Sequence, residues 1–122
     1  MPHPDFIILY VDDATASARF YGDLLGRSPV EASPGFALFV LDSGIKLGLW
    51  SRGGVVPPAA AGSGAEVVFT VDHADAVRAT HADWRRRGLT IALAPTAMEF
   101  GHTFVALDPN GHRLRVYAPS AP

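Results

Sequence analysis

The amino-acid sequence predicts an α+β fold built from two βαβββ modules whose curved mixed sheets surround a cleft. The first observation is an internal repeat: residues 6–12 (FIILYVD) match residues 66–72 (EVVFTVD) at an offset of sixty. Both segments are apolar, β-rich runs that end at an aspartate, and a helical pattern follows each of them. The second observation is that strand-like segments follow each helical pattern. Because a repeat dictates architecture, we predict the order strand–helix–strand–strand–strand twice.

The two helices are predicted from capping signals and from the spacing of apolar residues. Asp13 is suited to cap a first helix that runs to about Leu25, and a second helix is expected over residues 74–87. Each helix should end at a glycine, Gly26 or Gly88, as a left-handed C-terminal cap favours. The side chains expected on the buried helix faces are Phe20, Tyr21, Leu24, Leu25, Val77, His81 and Trp84.

A hairpin is predicted to follow in each module. The first hairpin joins strands 36–41 and 45–50, and the second joins strands 103–107 and 112–117 across a DPNG turn. Short strands are expected near residues 30–31 and 90–93. The nine residues 94–102 are predicted to form a loop that either covers the cleft or packs against its own module.

Length and composition define one domain, and they exclude several classes of function. The 122 residues are 48% hydrophobic, which rules out a disordered chain. We expect a single domain over residues 1–122, with module one at 5–52, a Gly-, Pro- and Ala-rich linker at 53–64 and module two at 65–118. A net charge of −2 argues against nucleic acid as a partner. The sequence contains no cysteine, no signal-peptide pattern at its start and no apolar run long enough to span a membrane. These features favour a cytoplasmic protein without membrane contact.

Strand alternation assigns side chains either to the helix-covered face of each sheet or to its free face. Ile7, Leu9, Val11, Leu47 and Leu49 are predicted to lie under the first helix. The free faces are predicted to carry Phe6, Ile8, Tyr10, Lys46, Gly48 and Trp50 in module one, and Glu66, Val68, Thr70, Arg113, Arg115 and Tyr117 in module two. Two such free faces form a concave cleft, which is where we expect a ligand.

Two motifs resemble those of a known family. Residues 11–21 (VDDATASARFY), followed by LLG at 24–26, resemble the start of a vicinal oxygen chelate module. Residues 108–112 (DPNGH), followed by alternating apolar residues, resemble the end of such a chain. The superfamily includes glyoxalase I, extradiol dioxygenases and bleomycin-type resistance proteins. The resemblance implies paired βαβββ modules and a homodimer whose clefts use residues from both chains.

The same resemblance locates four points at which metal-dependent members carry ligands. These points fall on Phe6, Gly48, Glu66 and Arg115. Phenylalanine and glycine have no ligating side chain, arginine keeps its proton, and one glutamate is too few for a catalytic divalent ion. We therefore expect no metal, no cofactor and no catalytic residue. Glu66 and Arg115 are instead expected either to form a bidentate ion pair or to meet water separately. The pair could also bind a polar group of the ligand.

Trp50 is the main candidate ligand-binding residue. Its indole should face the cleft beside a flat vacancy left by Gly48, which would make a stacking platform for a planar aromatic ring. The alternative is that Trp50 fills a dimer interface. Residues 47–54 and 100–104 resemble the phenazine-antibiotic resistance branch of the family, whose members bind a flat tricyclic drug between aromatic side chains. The further ligand-binding candidates are Phe6, Tyr10, Glu66, Met98, Phe100, His102, Phe104, Arg115 and Tyr117.

Three functions remain open at this stage. The favoured one is a metal-free protein that sequesters a planar aromatic drug or secondary metabolite. The second is an enzyme of the same fold that acts on a small oxygenated substrate, and the third is a structural or regulatory dimer. Metal analysis separates the second function from the others, and binding of planar aromatic compounds separates the first from the third.

Overall fold

The computed structural model describes residues 5–56, 58 and 65–120. The chain divides into two compact units, unit one (residues 1–61) and unit two (residues 62–122). Each unit has a four-stranded mixed sheet, which confirms the predicted α+β class. Within the described ranges, neither helix has the length and apolar character needed to cross a bilayer.

Unit one follows the predicted strand–helix–strand–strand–strand order. Its elements are β1 (Phe6–Val11), α1 (Ala14–Leu25), β2 (Glu31–Ala32), β3 (Phe36–Val40) and β4 (Lys46–Ser51), with a short 3-10 turn at Arg52–Gly54. The strands are arranged in the order β1-β4-β3-β2. β1 and β4 are parallel, and the other neighbouring pairs are antiparallel.

Unit two repeats this topology. Its elements are β5 (Glu66–Thr70), α2 (Ala74–Arg86), β6 (Thr90–Met98), β7 (Gly101–Leu107) and β8 (Arg113–Pro119). The strand order is β5-β8-β7-β6, and β5 is parallel to β8. The structure therefore confirms that the repeat detected in the sequence is a repeat of whole βαβββ units.

Helix α1 begins and ends as its capping residues predict. The Asp13 carboxylate accepts hydrogen bonds from the backbone N–H of Thr15 at 2.9 Å and Ala16 at 3.4 Å, which satisfies two free donors of the first turn. Gly26 ends the helix at a φ of 65°, a conformation that side chains disfavour. The fully buried side chains of α1 are Ala14, Ser17, Ala18 and Tyr21, whereas the predicted Phe20, Leu24 and Leu25 are only half-buried.

The core of unit one lies between α1 and sheet one. Leu9, Val11, Leu47 and Leu49 are buried there, as strand alternation predicts. Ile7 lies on the same face, as predicted, because it pairs with the buried Leu47, but its side chain is 42% exposed and is not covered by the helix. Helix α1 packs mainly over β3 and β4, so the start of the edge strand β1 extends beyond its cover.

The core of unit two is an aromatic cluster under α2. The Trp84 ring lies 5.4 Å from the rings of both Phe69 and Phe104, in edge-to-face geometry. Phe104 is fully buried and also contacts His81, with ring centroids 5.3 Å apart. The assignment of Phe104 to the ligand site is therefore wrong. It pairs with the buried Val116 across β7 and β8, and this pairing places its ring under the helix.

His102 also lies on the helix side of sheet two. It is two residues from Phe104 on β7 and pairs with the buried Ala118, although its own side chain is exposed. The prediction that His102 faces the ligand is therefore wrong as well. The register between β7 and β8 turns both side chains away from the free face of sheet two.

The predicted loop at residues 94–102 is mostly strand. Residues 94–98 continue β6, residues 101–102 begin β7, and only residues 99–100 form the turn. β6 is an edge strand with register shifts on either side of Leu93, so Pro95 is tolerated within it. Of the predicted linker, residues 57 and 59–64 lie outside the described residues, while Val55 is buried.

The corrected placement of Phe104 makes a stability prediction. Phe104→Ala should destabilise the protein by about 3–5 kcal/mol, because it leaves a cavity among Trp84, His81 and the sheet. His102→Ala on the same strand should change the free energy of unfolding by less than about 0.5 kcal/mol, as exposed substitutions do. Urea denaturation measures both. Similar effects of the two substitutions would contradict the placement.

Candidate functional site

The free face of sheet one carries a row of three aromatic side chains. Tyr10, Trp50 and Phe36 are cross-strand neighbours on β1, β4 and β3. The Trp50 ring lies 6.5 Å from that of Tyr10 and 6.4 Å from that of Phe36, with interplanar angles of 78° and 86°. Sequence analysis did not select Phe36. The register of the first predicted hairpin could have identified Phe36, because it places residue 36 opposite residue 50.

Gly48 lies under the ring of Phe36 from this row and under the ring of Phe6. A Cβ atom at Gly48 would lie 2.9 Å from Phe36 Cζ and 2.9 Å from Phe6 Cε1, which is too close for any real contact. The prediction that Gly48 leaves a flat vacancy beside Trp50 is therefore wrong, because the rings of Phe6 and Phe36 fill the space above Gly48. Because glycine has no side chain, the neighbouring rings cover its backbone and reduce their own contact with water. The glycine allows a continuous aromatic floor that we call the aromatic face, formed by Phe6, Ile8, Tyr10, Phe36 and Trp50.

The aromatic face is accessible on its β1 side. Phe6, Ile8 and Tyr10 are 39%, 42% and 37% exposed, and Phe36 and Trp50 are half-buried. Lys46 borders the face, with its Nζ atom 5.4 Å from the centre of the Phe6 ring. Contiguous exposed apolar side chains of this kind mark binding surfaces. The face can therefore provide apolar area and ring faces to a flat ligand.

The free face of sheet two is organised by an ion pair. Arg115 donates from Nε to Glu66 Oε1 at 2.9 Å and from Nη2 to Glu66 Oε2 at 3.1 Å. Its Nη1 donates to Thr103 Oγ1 at 3.1 Å. The structure thus confirms the predicted bidentate pair. The contact is diagonal, because the residue directly opposite Glu66 is Arg113.

The ion pair changes the titration of Glu66. The hydrogen bond from Arg115 lowers the pKa of the Glu66 carboxyl below its usual value of 4.5, against an opposing effect of burial. The positive charges of Arg115 and Arg113 lower the pKa further. Glu66 is therefore ionised at neutral pH and bound to Arg115.

Two more of the predicted ligand-binding side chains, Phe100 and Tyr117, lie beside this pair. The ring centroids of Phe100 and Tyr117 are 6.1 Å apart, and the Arg115 guanidinium carbon is 5.9 Å from the centre of the Phe100 ring. Met98 is 40% exposed and pairs with Gly101 across β6 and β7. The structure thus groups Phe100, Arg115 and Tyr117, and it adds Thr103, which sequence analysis missed. Met98 lies at the end of β6, beside the turn that carries Phe100.

The four positions at which metal-dependent relatives carry ligands do not fit a divalent ion in this chain. Phe6 and Gly48 offer no donor atom, and both carboxylate oxygens of Glu66 already accept hydrogen bonds from Arg115. Among the residues that the structure describes, no three side chains of His, Cys, Asp or Glu lie close enough together to hold a metal ion.

An open groove of about 640 Å³ lies on the helix side of unit one, away from the aromatic face. It runs between α1 and the segment at residues 26–34 and contains none of the predicted site residues. Arg19 and Arg27 line it, and Arg27 donates hydrogen bonds to the carbonyl of Val40 at 2.6 Å and to Asp42. We therefore place the candidate site on the free sheet faces rather than in this groove.

Two βαβββ units of one topology, each with an open sheet face, define a vicinal oxygen chelate fold. In agreement, residues 3–116 match the profile of the Glyoxalase/Bleomycin resistance protein/Dioxygenase superfamily. The chain belongs to this superfamily.

Individual relatives support the assignment. The chain is 26% identical over 116 residues to the phenazine antibiotic resistance protein EhpR of Enterobacter agglomerans, covering 93% of this chain and 89% of EhpR. The solution structure of protein ATC0852 from Agrobacterium tumefaciens is 53% identical, with a TM-score of 0.91 over 99% of this chain and all of that one. A glyoxalase-related enzyme from Fulvimarina pelagi is 24% identical, with a TM-score of 0.81 over 97% of this chain and 88% of that one, and it shows the shared fold.

The Glu66–Arg115 pair predicts a pH-dependent contribution to stability. Because the folded-state pKa of Glu66 is lowered, the contribution is complete above pH 4.5 and is lost as the pH falls through the lower folded value. Glu66→Gln should therefore lower the free energy of unfolding at neutral pH by at most about 1 kcal/mol, since water reaches the partly exposed carboxylate. The difference from the unsubstituted protein should shrink as the pH falls below 4.5.

Urea denaturation at pH values from about 7 to about 3 measures this effect. Glu31→Gln is the matched control, because Glu31 is exposed on the short edge strand β2. A Glu66→Gln effect that stays constant over the whole pH range would argue against a stabilising ion pair.

Proposed function

We propose that the protein binds a flat, largely apolar aromatic drug or secondary metabolite and sequesters it without a metal and without chemical change. The observation that carries this proposal is the aromatic face of sheet one, where Tyr10, Trp50 and Phe36 form one row. Rings in such number on a free sheet face are not needed for the core, which lies on the opposite side under α1.

The ring geometry at Trp50 favours a planar ligand. Tyr10 and Phe36 are both nearly perpendicular to the indole, so neither of them occupies a parallel-stacked position against it. An incoming flat ring can take that position and contact the edges of the neighbouring rings at the same time. Aromatic stacking adds about 0.5–1.5 kcal/mol to the free energy gained from burying apolar area.

The relationship to EhpR supports the same class of ligand. That protein is described as a phenazine antibiotic resistance protein, and phenazine is a planar tricyclic aromatic compound. Binding of a drug by a protein that does not alter it lowers the free drug concentration, which is sufficient for resistance. The proposed ligand is therefore a planar, largely apolar ring system.

We further propose that the protein acts as a homodimer in the cytoplasm. The resemblance to paired-module proteins of this size supports the dimer, and the absence of cysteine from the sequence suits a reducing compartment. The dimer bears directly on Trp50, whose indole could belong either to a ligand site or to a subunit interface. The experiment on Trp50 below is designed to separate these two roles.

Removing the indole should weaken binding of planar aromatic compounds. Trp50→Ala is expected to reduce the affinity for phenazine about thirtyfold, which corresponds to about 2 kcal/mol for the loss of an aromatic anchor. Gly48→Ala should also weaken binding, because its Cβ atom would displace the rings of Phe6 and Phe36. Isothermal titration calorimetry measures the affinities, and sedimentation measures the oligomeric state of each variant.

The control for these variants is Val30→Ala, an exposed side chain just before β2 that lies outside the aromatic face. It should bind phenazine as the unsubstituted protein does. If Trp50→Ala keeps full affinity, or if its main effect is to dissociate the dimer, Trp50 is an interface residue and the proposed site is wrong.

A separate measurement addresses the alternative of an enzyme with a bound metal. Treatment with a chelator should leave the melting temperature unchanged. A metal ion that bound only the folded state would stabilise that state by mass action, so its removal would lower the melting temperature. This expectation follows from the side chains of Phe6, Gly48, Glu66 and Arg115, which leave no set of donor atoms for an ion. A fall of several degrees, reversed by a divalent metal, would favour the enzyme.

A further inference from the structure

We propose that the free face of sheet two is a second binding surface, which takes an aromatic carboxylate through Arg113. The surface lies wholly within unit two and does not involve Trp50 or the aromatic face. It therefore goes beyond the function proposed above and can fail or succeed independently of it.

The charges on this face leave one positive charge without a bidentate partner. The charged strand residues that strand alternation places on it are Glu66, Arg113 and Arg115. Arg115 is held by both oxygens of Glu66 and by Thr103, and its side chain is only 18% exposed. Arg113 is 62% exposed, and its Nη1 atom is 4.0 Å from Glu66 Oε2, beyond hydrogen-bonding distance. The guanidinium of Arg113 is thus the group that can accept a new anion.

The same face exposes apolar side chains beside these charges. Val68, which is directly opposite Arg115 on β5, is 49% exposed. Phe100 is 48% exposed, and the Arg115 guanidinium packs near its ring. The ion pair with Glu66 and the hydrogen bond to Thr103 hold Arg115 in one orientation. A flat ring can pack on this fixed guanidinium as well as on Val68 and Phe100.

The spacing of these groups sets the size of the ligand. Arg113 and Arg115 are two residues apart on β8, which separates their Cα atoms by about 7 Å along the strand. A fused two-ring system has about this length. A naphthoate-like ligand can therefore lie along β8 with its rings over Arg115 and Val68 and its carboxylate at Arg113. The fork of an arginine side chain matches a carboxylate in geometry as well as in charge.

The test compares 2-naphthoate with the neutral 2-naphthamide, which has the same rings and nearly the same shape. The full chain should bind the carboxylate at least about tenfold more tightly than the amide, the low end of what hydrogen bonds to a charged group provide. In amide-resolved NMR spectra, the carboxylate should shift the signals of Val68, Arg115 and Tyr117. Equal affinities for acid and amide would overturn the proposal.

One substitution sharpens the test. Arg113→Gln should abolish the preference for the carboxylate. The matched control is Arg85→Gln, which removes the same charge from the last turn of α2 on the other side of the sheet. If Arg85→Gln lowers the affinity as much as Arg113→Gln, only the net charge matters and the proposal is wrong.

The outcomes also separate this surface from the aromatic face. Naphthoate-induced shifts confined to Gly48, Trp50 and their neighbours would overturn the inference while supporting the proposed function. A different result would support the inference and overturn the proposed function: every variant of the aromatic face still binds phenazine with full affinity, and Arg113→Gln has its expected effect.

Discussion

The parallel pairing of the first and last strands in each unit is the constraint on which the rest of the structure depends. β1 pairs with β4 and β5 pairs with β8, and the intervening chain must cross over the sheet before it returns. In both units the crossover contains a helix, so one face of each sheet is covered and the other stays open. Strand alternation then commits each side chain to the core or to the open face.

Much of this arrangement follows from local signals in the sequence. The repeat at an offset of sixty predicts two units of one topology, and Asp13 and Gly26 predict the limits of α1. The ion pair between Glu66 and Arg115 follows from the same logic, because alternation places both side chains on one face of neighbouring strands. These features depend on backbone periodicity and capping, which residue types reveal directly.

The features that could not be predicted depend on packing between side chains and on strand register. The rings of Phe6 and Phe36 cover Gly48, and no local pattern shows which neighbour fills the space above a glycine. Pro95 suggests a loop, yet it lies in an edge strand whose register shifts on either side of Leu93. The burial of Phe104 depends on its pairing with Val116, which requires the exact register of the second hairpin.

The repeat also places the same diagonal contact in both units with different chemistry. In unit two the first residue of β5, Glu66, reaches past its direct neighbour to the guanidinium of Arg115. In unit one the first residue of β1, Phe6, reaches in the same way to the equivalent position, Gly48. One contact is ionic and the other is apolar, and these are the four positions where metal-dependent relatives carry ligands. The ionic contact engages both carboxylate oxygens of Glu66, and the apolar contact has no ligating side chain, so neither contact fits a divalent ion.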